Sequence, residues 1–128
     1  MNIPKDLLYT KEHEWAKVNG DVAEIGITQF AVAQLGDITL VELPAVGDTI
    51  TAGEAMGTVE SVKAVSDLYA PVTGTVAEIN ESLEDEPEFI NDDPFGKGWM
   101  IKVTLAGTPE GLMAADAYAR HCEEGGED

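Results

Sequence analysis

Lys63 stands near the middle of Gly57-Thr58-Val59-Glu60-Ser61-Val62-Lys63-Ala64-Val65-Ser66-Asp67-Leu68-Tyr69-Ala70-Pro71, a stretch that reads as two strands reversing about the lysine. No Gly, Pro or Asn lies between Gly57 and Pro71. Tight hairpins favour Asn-Gly or Gly-containing dipeptides because positive φ is needed at the bend, and a type I turn fits strand twist less well. The bland role for a lysine at such an apex is an exposed charge that keeps the tip in water. The chemical role is a primary amine on a projecting turn, which an acyl-transferring enzyme can single out from other amines. Acylation removes the charge and makes the side chain a long neutral tether. Such a tether holds its reactive end near successive active sites at high effective concentration. The flanks add a weak symmetry, with Gly47-Asp48 and Gly53 before the apex and Pro71 and Gly74 after it.

Other chemistry-bearing residues are sparse. His13 and Glu14 adjoin, and Asp67 lies four residues past Lys63. His13 is as compatible with packing against Trp15 or the hairpin as with proton transfer. No HExxH pattern, cysteine cluster or phosphate-binding glycine loop is present, so metal and nucleotide sites have no positive support. The acidic run Glu84-Asp85-Glu86-Pro87-Glu88 lacks calcium-loop spacing and reads as solvent-facing. The one cysteine, Cys122, precludes an intramolecular disulfide and fits a reducing compartment. It is expected to fill space on a C-terminal helix, with His121 pointing to a different side.

The charge balance excludes further classes. Seven Lys and Arg against 25 Asp and Glu give a net charge of -18. Too few basic side chains exist to displace the counterions of a nucleic acid, and anionic membranes are excluded for the same reason. An acidic surface instead steers a protein toward basic docking sites, or keeps it soluble where salt screens that steering. No apolar run approaches the ~18 residues that span a bilayer, and the opening Met1-Asn2-Ile3-Pro4-Lys5-Asp6 lacks the order of a signal peptide. The expectation is a soluble cytoplasmic protein.

A lysine can be presented in this way only by a rigid frame, and the rest of the chain reads as one. Its 128 residues suit one domain, spanning 1–128. Trp99-Met100-Ile101-Lys102-Val103-Thr104-Leu105 alternates, with Trp, Ile, Val and Leu on one side and Met, Lys and Thr on the other. Further strands are expected around Tyr9, Ala16 to Val18, Val22 to Ile27, Thr39 to Leu43, Ala55 to Val62, Ser66 to Ala70 and Thr73 to Asn80. Turns separate them at Asn19-Gly20-Asp21, Val46-Gly47-Asp48, Ala52-Gly53-Glu54 and Pro71-Val72-Thr73-Gly74. Many short strands predict a mainly β sandwich or barrel. One short helix is expected from Thr28 to Leu35, N-capped by Thr28 and stopped by Gly36. A second is expected from near Thr108-Pro109, placing Leu112, Met113, Ala115, Ala119 and Cys122 near the core. Residues 123–128 read as a frayed acidic tail.

Six segments in order resemble the H-protein family of the glycine cleavage system. They are Tyr9-Thr10-Lys11-Glu12-His13-Glu14-Trp15, Gly26-Ile27-Thr28, Leu35-Gly36-Asp37, Val41-Glu42-Leu43-Pro44-Ala45-Val46-Gly47, Glu60 to Asp67 with Ala70-Pro71-Val72-Thr73-Gly74, and Gly98-Trp99-Met100. The likeness runs from about Leu8 to Val103. Biotin carriers resemble Glu-Ala-Met-Lys-Met at the apex, so Ser61-Val62-Lys63-Ala64 favours lipoate.

The resemblance implies a barrel-sandwich hybrid, a flattened β-barrel of the lipoyl- or biotinyl-carrier kind, with a short internal helix and a C-terminal helix. It implies covalent lipoate, amide-linked to Lys63 by a lipoate-attaching enzyme. In the family a pyridoxal-phosphate glycine decarboxylase supplies an aminomethyl group, a tetrahydrofolate-dependent aminomethyltransferase takes it, and dihydrolipoyl dehydrogenase reoxidises the dithiol. The carrier catalyses none of these steps, and a monomer is expected. The family's docked arm further implies that Glu14 and Asp67 hold the protonated amine of the cargo away from water. Two departures stand out: Glu12 replaces a small hydroxyl residue found in some relatives, and Phe95 follows Pro94 where Tyr is common. The alternative is an H-like lipoyl protein serving lipoate relay or another sulfur-carrier pathway. A small hydrolase or isomerase built on His13, Glu14 and Asp67 would be a third, but no nucleophile or metal constellation supports it.

Overall fold

A computed structural model describes residues 3–124. In chain order the elements are β1 (Leu8–Tyr9), β2 (Glu14–Asn19), β3 (Val22–Ile27), α1 (Gln29–Leu35), β4 (Ile38–Glu42), β5 (Thr49–Ile50), β6 (Ala55–Ser61), β7 (Val65–Tyr69), β8 (Gly74–Ile79), α2 (Ser82–Asp85), α3 (Phe89–Asp92), β9 (Ile101–Leu105) and α4 (Ala115–Glu123). Every pairing between these strands is antiparallel. The β2–β3 reversal shows the local logic. Asn19 pairs with Val22, leaving Gly20-Asp21 as a two-residue loop, and Gly20 takes φ 66, which a residue without Cβ adopts freely.

A six-stranded sheet in the order β1-β2-β3-β9-β8-β5 faces a three-stranded sheet, β4-β6-β7. Ala23, Ile25, Ile101 and Val103 of the larger sheet share one buried cluster with Val41, Val59 and Leu68 of the smaller. The alternation of apolar and polar positions decides this, because only one face of each strand reaches the partner sheet. The mainly β, two-sheet architecture with short helices is the one expected. A second cluster, Leu7, Tyr9, Trp15, Ala115, Tyr118 and Cys122, seats α4 against β1 and β2.

Three expectations are corrected. The C-terminal helix starts at Ala115, not near Pro109, because Met113 is held in an isolated antiparallel bridge to Tyr9. Its fully buried residue is Tyr118, while Ala119 is only half-buried. Met100 does not lie on a solvent face. It precedes β9, its N–H donates to Ile25 O, and its side chain is buried. Three elements went unforeseen: β5, α2 and α3, the last two folding around the acidic run whose carboxylates are exposed as expected. Of the acidic tail, Glu123 ends α4 and Glu124 caps it, and residues 125–128 lie outside the described residues.

Helix α1 forms as its caps dictate. Thr28 Oγ1 accepts from Ala31 N–H at 3.3 Å, and Gly36 at φ 80 sends its N–H to Val32 O at 2.9 Å. The helix therefore ends beside the start of β4, against which β6 pairs.

Candidate functional site

The β6–β7 hairpin reverses through Val62-Lys63-Ala64, and the missing turn residue is replaced by a hydroxyl. Ser61 Oγ accepts from the N–H groups of Lys63 at 3.3 Å and Ala64 at 3.1 Å, while Ser61 N–H donates to Ala64 O at 2.8 Å. Serine side chains stabilise turns in this way without positive φ. Nothing in the sequence pattern marked Ser61 as the turn former, although a hydroxyl two residues before the apex was the available signal. Val62 and Val65, on either side, are 70% and 66% exposed. Lys63 is exposed and, among the described residues, makes no ion pair. Its stem runs over Gly36, where a Cβ would sit 3.5 Å from Lys63 Cε.

Glu14 and Asp67 occupy different environments. Glu14 is 2% exposed at the start of β2. Its Oε1 accepts from Thr10 Oγ1 at 2.6 Å and its Oε2 from Tyr69 N–H at 3.3 Å. Burial is the largest influence on its pKa and pushes it up to about 7, against the lowering effect of those two hydrogen bonds; the Glu12 charge raises it further. Asp67 is exposed, pairs with Thr58 across β6 and lies two residues from Tyr69. Strand geometry puts the Asp67 and Tyr69 Cα atoms about 7 Å apart. The fold thus brings Glu14 to the strand that carries Asp67 and follows Lys63.

His13, read either as packing against Trp15 or the hairpin or as a proton-transfer group, turns its ring toward α1 and α4. Its backbone is left-handed, φ 73, and its ring stacks on Phe30 at 4.5 Å. Its Nδ1 lies 2.7 Å from Tyr118 Oη, which is 2.6 Å from Thr28 Oγ1. His121 stacks on His13 at 5.5 Å and reaches Lys11 O at 3.1 Å, whereas Cys122 is buried, so the two neighbours do face different sides of α4. Trp15 is fully buried, donates to Pro94 O at 3.0 Å and packs 6.1 Å from Phe95. At this position the phenyl ring serves packing.

Among the described residues, no group of three or more His, Cys, Asp or Glu is placed to hold a metal. Among them, too, no helix is long and apolar enough to cross a membrane. What the site offers is an accessible amine on a braced tip, with a buried carboxyl contacting the same hairpin. The glycine cleavage H-protein family model matches residues 7–125. The chain belongs to the glycine cleavage H-protein family.

Individual relatives agree across nearly the whole H-protein. A glycine cleavage system H protein from Nitratidesulfovibrio vulgaris, strain Miyazaki F, is 58% identical over 118 residues, covering 92% of this chain and 93% of its own. One from Bacillus pumilus is 56% identical over 126 residues, covering 97% and 99%. The crystal structure of a glycine cleavage system H protein from Mycobacterium marinum superimposes with a TM-score of 0.90 at 42% identity, over 94% of this chain and 99% of that one. The function is therefore that of a glycine cleavage system H protein, a carrier rather than an enzyme, in a family that carries lipoate. His13, Glu14 and Asp67 are accordingly not the catalytic residues of a small hydrolase.

Proposed function

We propose that Lys63 is the lipoate attachment site, and that the modified chain shuttles an aminomethyl group from glycine decarboxylase to the tetrahydrofolate-dependent aminomethyltransferase before meeting dihydrolipoyl dehydrogenase. The observation that carries this reading is the exposed Lys63 amine on a tip held by Ser61, in a chain of the H-protein family. The residues present suit the group. An amine that makes no ion pair among the described residues is open to acylation, and exposed Val62 and Val65 offer apolar contact to an enzyme that must grasp the tip. When bound, the lipoyl group supplies a strained disulfide at the end of a long neutral reach.

The chain's own part is to anchor, to hold and to exclude water. Lys63 is the anchor and Ser61 fixes its base. Glu14 lies in a dry setting where a carboxylate and a protonated amine attract strongly, because water competes weakly there. With its pKa pushed up to about 7, Glu14 can surrender its proton when a cationic cargo arrives. Asp67 supplies an exposed charge on the same strand, worth about 0 to 1 kcal/mol, which suits reversible docking. The reading makes the chain one monomeric lipoyl-carrier domain working in the cytosol, where the buried free Cys122 stays reduced.

The test is to incubate the unmodified chain with a lipoate-attaching enzyme, lipoate and ATP, and to map the product by mass spectrometry. A single lipoyl addition on Lys63, and glycine-dependent CO2 exchange with the decarboxylase that is lost in Lys63→Arg, is the expected result. Addition at another residue, or exchange that persists in Lys63→Arg, overturns it.

A further inference from the structure

The three-residue tip 62–64 is short, and its position relative to the body depends on what ties it down. Among the described residues, the hydrogen bond that links this tip to anything outside β6 and β7 is Val62 N–H to Asp37 O, at 3.0 Å. Asp37 lies in the corner between α1 and β4, and both of its neighbours are gripped by one side chain. Asn91 Oδ1 accepts from Ile38 N–H at 2.9 Å, and Asn91 Nδ2 donates to Gly36 O at 2.9 Å. Gly36 is also the residue over which the Lys63 stem passes. Its φ of 80 is strained for any residue with a side chain, so the corner's shape is held from outside as well as chosen by sequence.

The grip is only as firm as α3, and α3 is well anchored. Ile90 is fully buried, and Asp93 O accepts from the N–H groups of Gly96 and Gly98. Gly98 approaches so closely that a Cβ there would be 2.8 Å from Ile90 Cα. A primary amide suits the corner because it presents an acceptor and a donor side by side on a small planar group. Aspartate keeps the acceptor and loses the donor, while leucine loses both.

We infer that Asn91 is a positioning residue for the modification of Lys63: by clamping Gly36 and Ile38 it seats Asp37 under Val62 and sets the direction in which the lysine leaves the tip. This inference rests on Lys63 being the attachment site. An enzyme that acylates one amine requires that amine in line with its activated acyl group, and small misplacements of a reacting atom carry large rate penalties.

The experiment compares wild type, Asn91→Asp, Asn91→Leu and Val103→Ala, the last a buried β9 change that touches none of the Asn91 hydrogen bonds. Initial rates of lipoate attachment are measured where circular dichroism shows each chain folded, alongside amide exchange at Val62. Asn91→Leu is expected to lower kcat/KM for attachment by roughly tenfold, with a smaller loss in Asn91→Asp. Val62 exchange accelerates in both, relative to Val59 in the preceding strand β6, and Val103→Ala leaves both readouts at the wild-type value. Attachment at the wild-type rate in Asn91→Leu, unchanged Val62 exchange, or an equal loss in Val103→Ala overturns the inference. If wild type is not modified on Lys63, the attachment reading fails, and Val62 exchange still decides whether Asn91 holds the tip.

Discussion

Tyr69 N–H donates to Glu14 Oε2 at 3.3 Å, so an acid at the start of β2 in the larger sheet satisfies a donor on β7, an edge strand of the smaller one. This contact joins the two sheets beside the lysine hairpin. Its cost is a carboxyl group taken out of water, with the Thr10 hydroxyl a second donor to it.

The cost has a pH signature. An unfolded glutamate titrates near 4.5 and folded Glu14 near 7, so the folded chain binds this proton more tightly. Stability from this group is therefore greatest below 4.5 and declines as pH rises toward 7. Glu14→Gln removes the decline. Urea unfolding of the two proteins at about pH 4 and about pH 8 should show the variant gaining on wild type by on the order of 3 kcal/mol at the higher value. Parallel curves across that range would contradict the buried-acid account.

Gly26 faces Trp15 across β2 and β3, and a Cβ on it would fall 2.7 Å from three atoms of the indole ring. The tryptophan cannot yield, being fully buried and bonded to Pro94 O. Gly26→Ala is expected to destabilise by about 1–3 kcal/mol through overpacking. A shifted midpoint in urea, with reddened tryptophan fluorescence in the native state, is the measurement.

Ser61→Ala deletes the acceptor for the N–H groups of Lys63 and Ala64. Both groups are exposed to water, so global stability should change by no more than about 1 kcal/mol. Amide exchange at residues 63 and 64 should nevertheless accelerate several-fold. Exchange at the wild-type rate would show that the hydroxyl does not hold the tip.

Tyr118→Phe removes the hydroxyl that bridges His13 Nδ1 and Thr28 Oγ1 inside the second cluster. Deleting one partner from a buried polar network costs about 1–3 kcal/mol. The loosening should be visible in the amides of α4 around Cys122, whose thiol, one turn further along and itself hydrogen-bonded to Tyr118, is buried and has its pKa raised chiefly by that burial. Faster amide exchange at residues 119–122 in the variant is expected. Equal rates would place the docking energy of α4 elsewhere.

What the linear chain settled by itself was what neighbours in sequence can settle. The alternation of Ile101 to Leu105, the Thr28 and Gly36 caps of α1 and the Gly20 turn are local, since side-chain period and φ preference act within a few residues. The apex lysine was legible for the same reason, and so were the motif segments that marked the family. The Thr49–Ile50 strand was not, because two residues carry no period.

The tertiary structure decided everything that depends on which distant segment arrives. Glu14 becomes a buried acid only because β7 comes to lie against it, whereas Asp67, of the same charge, remains in water on that strand. Met100 and Tyr118 are buried by partners that no pattern around them names. Asn91 meets Gly36 and Ile38 across more than 50 residues of chain, so its amide reads as an ordinary surface residue until the fold closes the corner. Local preferences selected the strands and the turn, and long-range packing selected the dielectric and the hydrogen-bond partners, which is where the chemistry of a charged side chain is set.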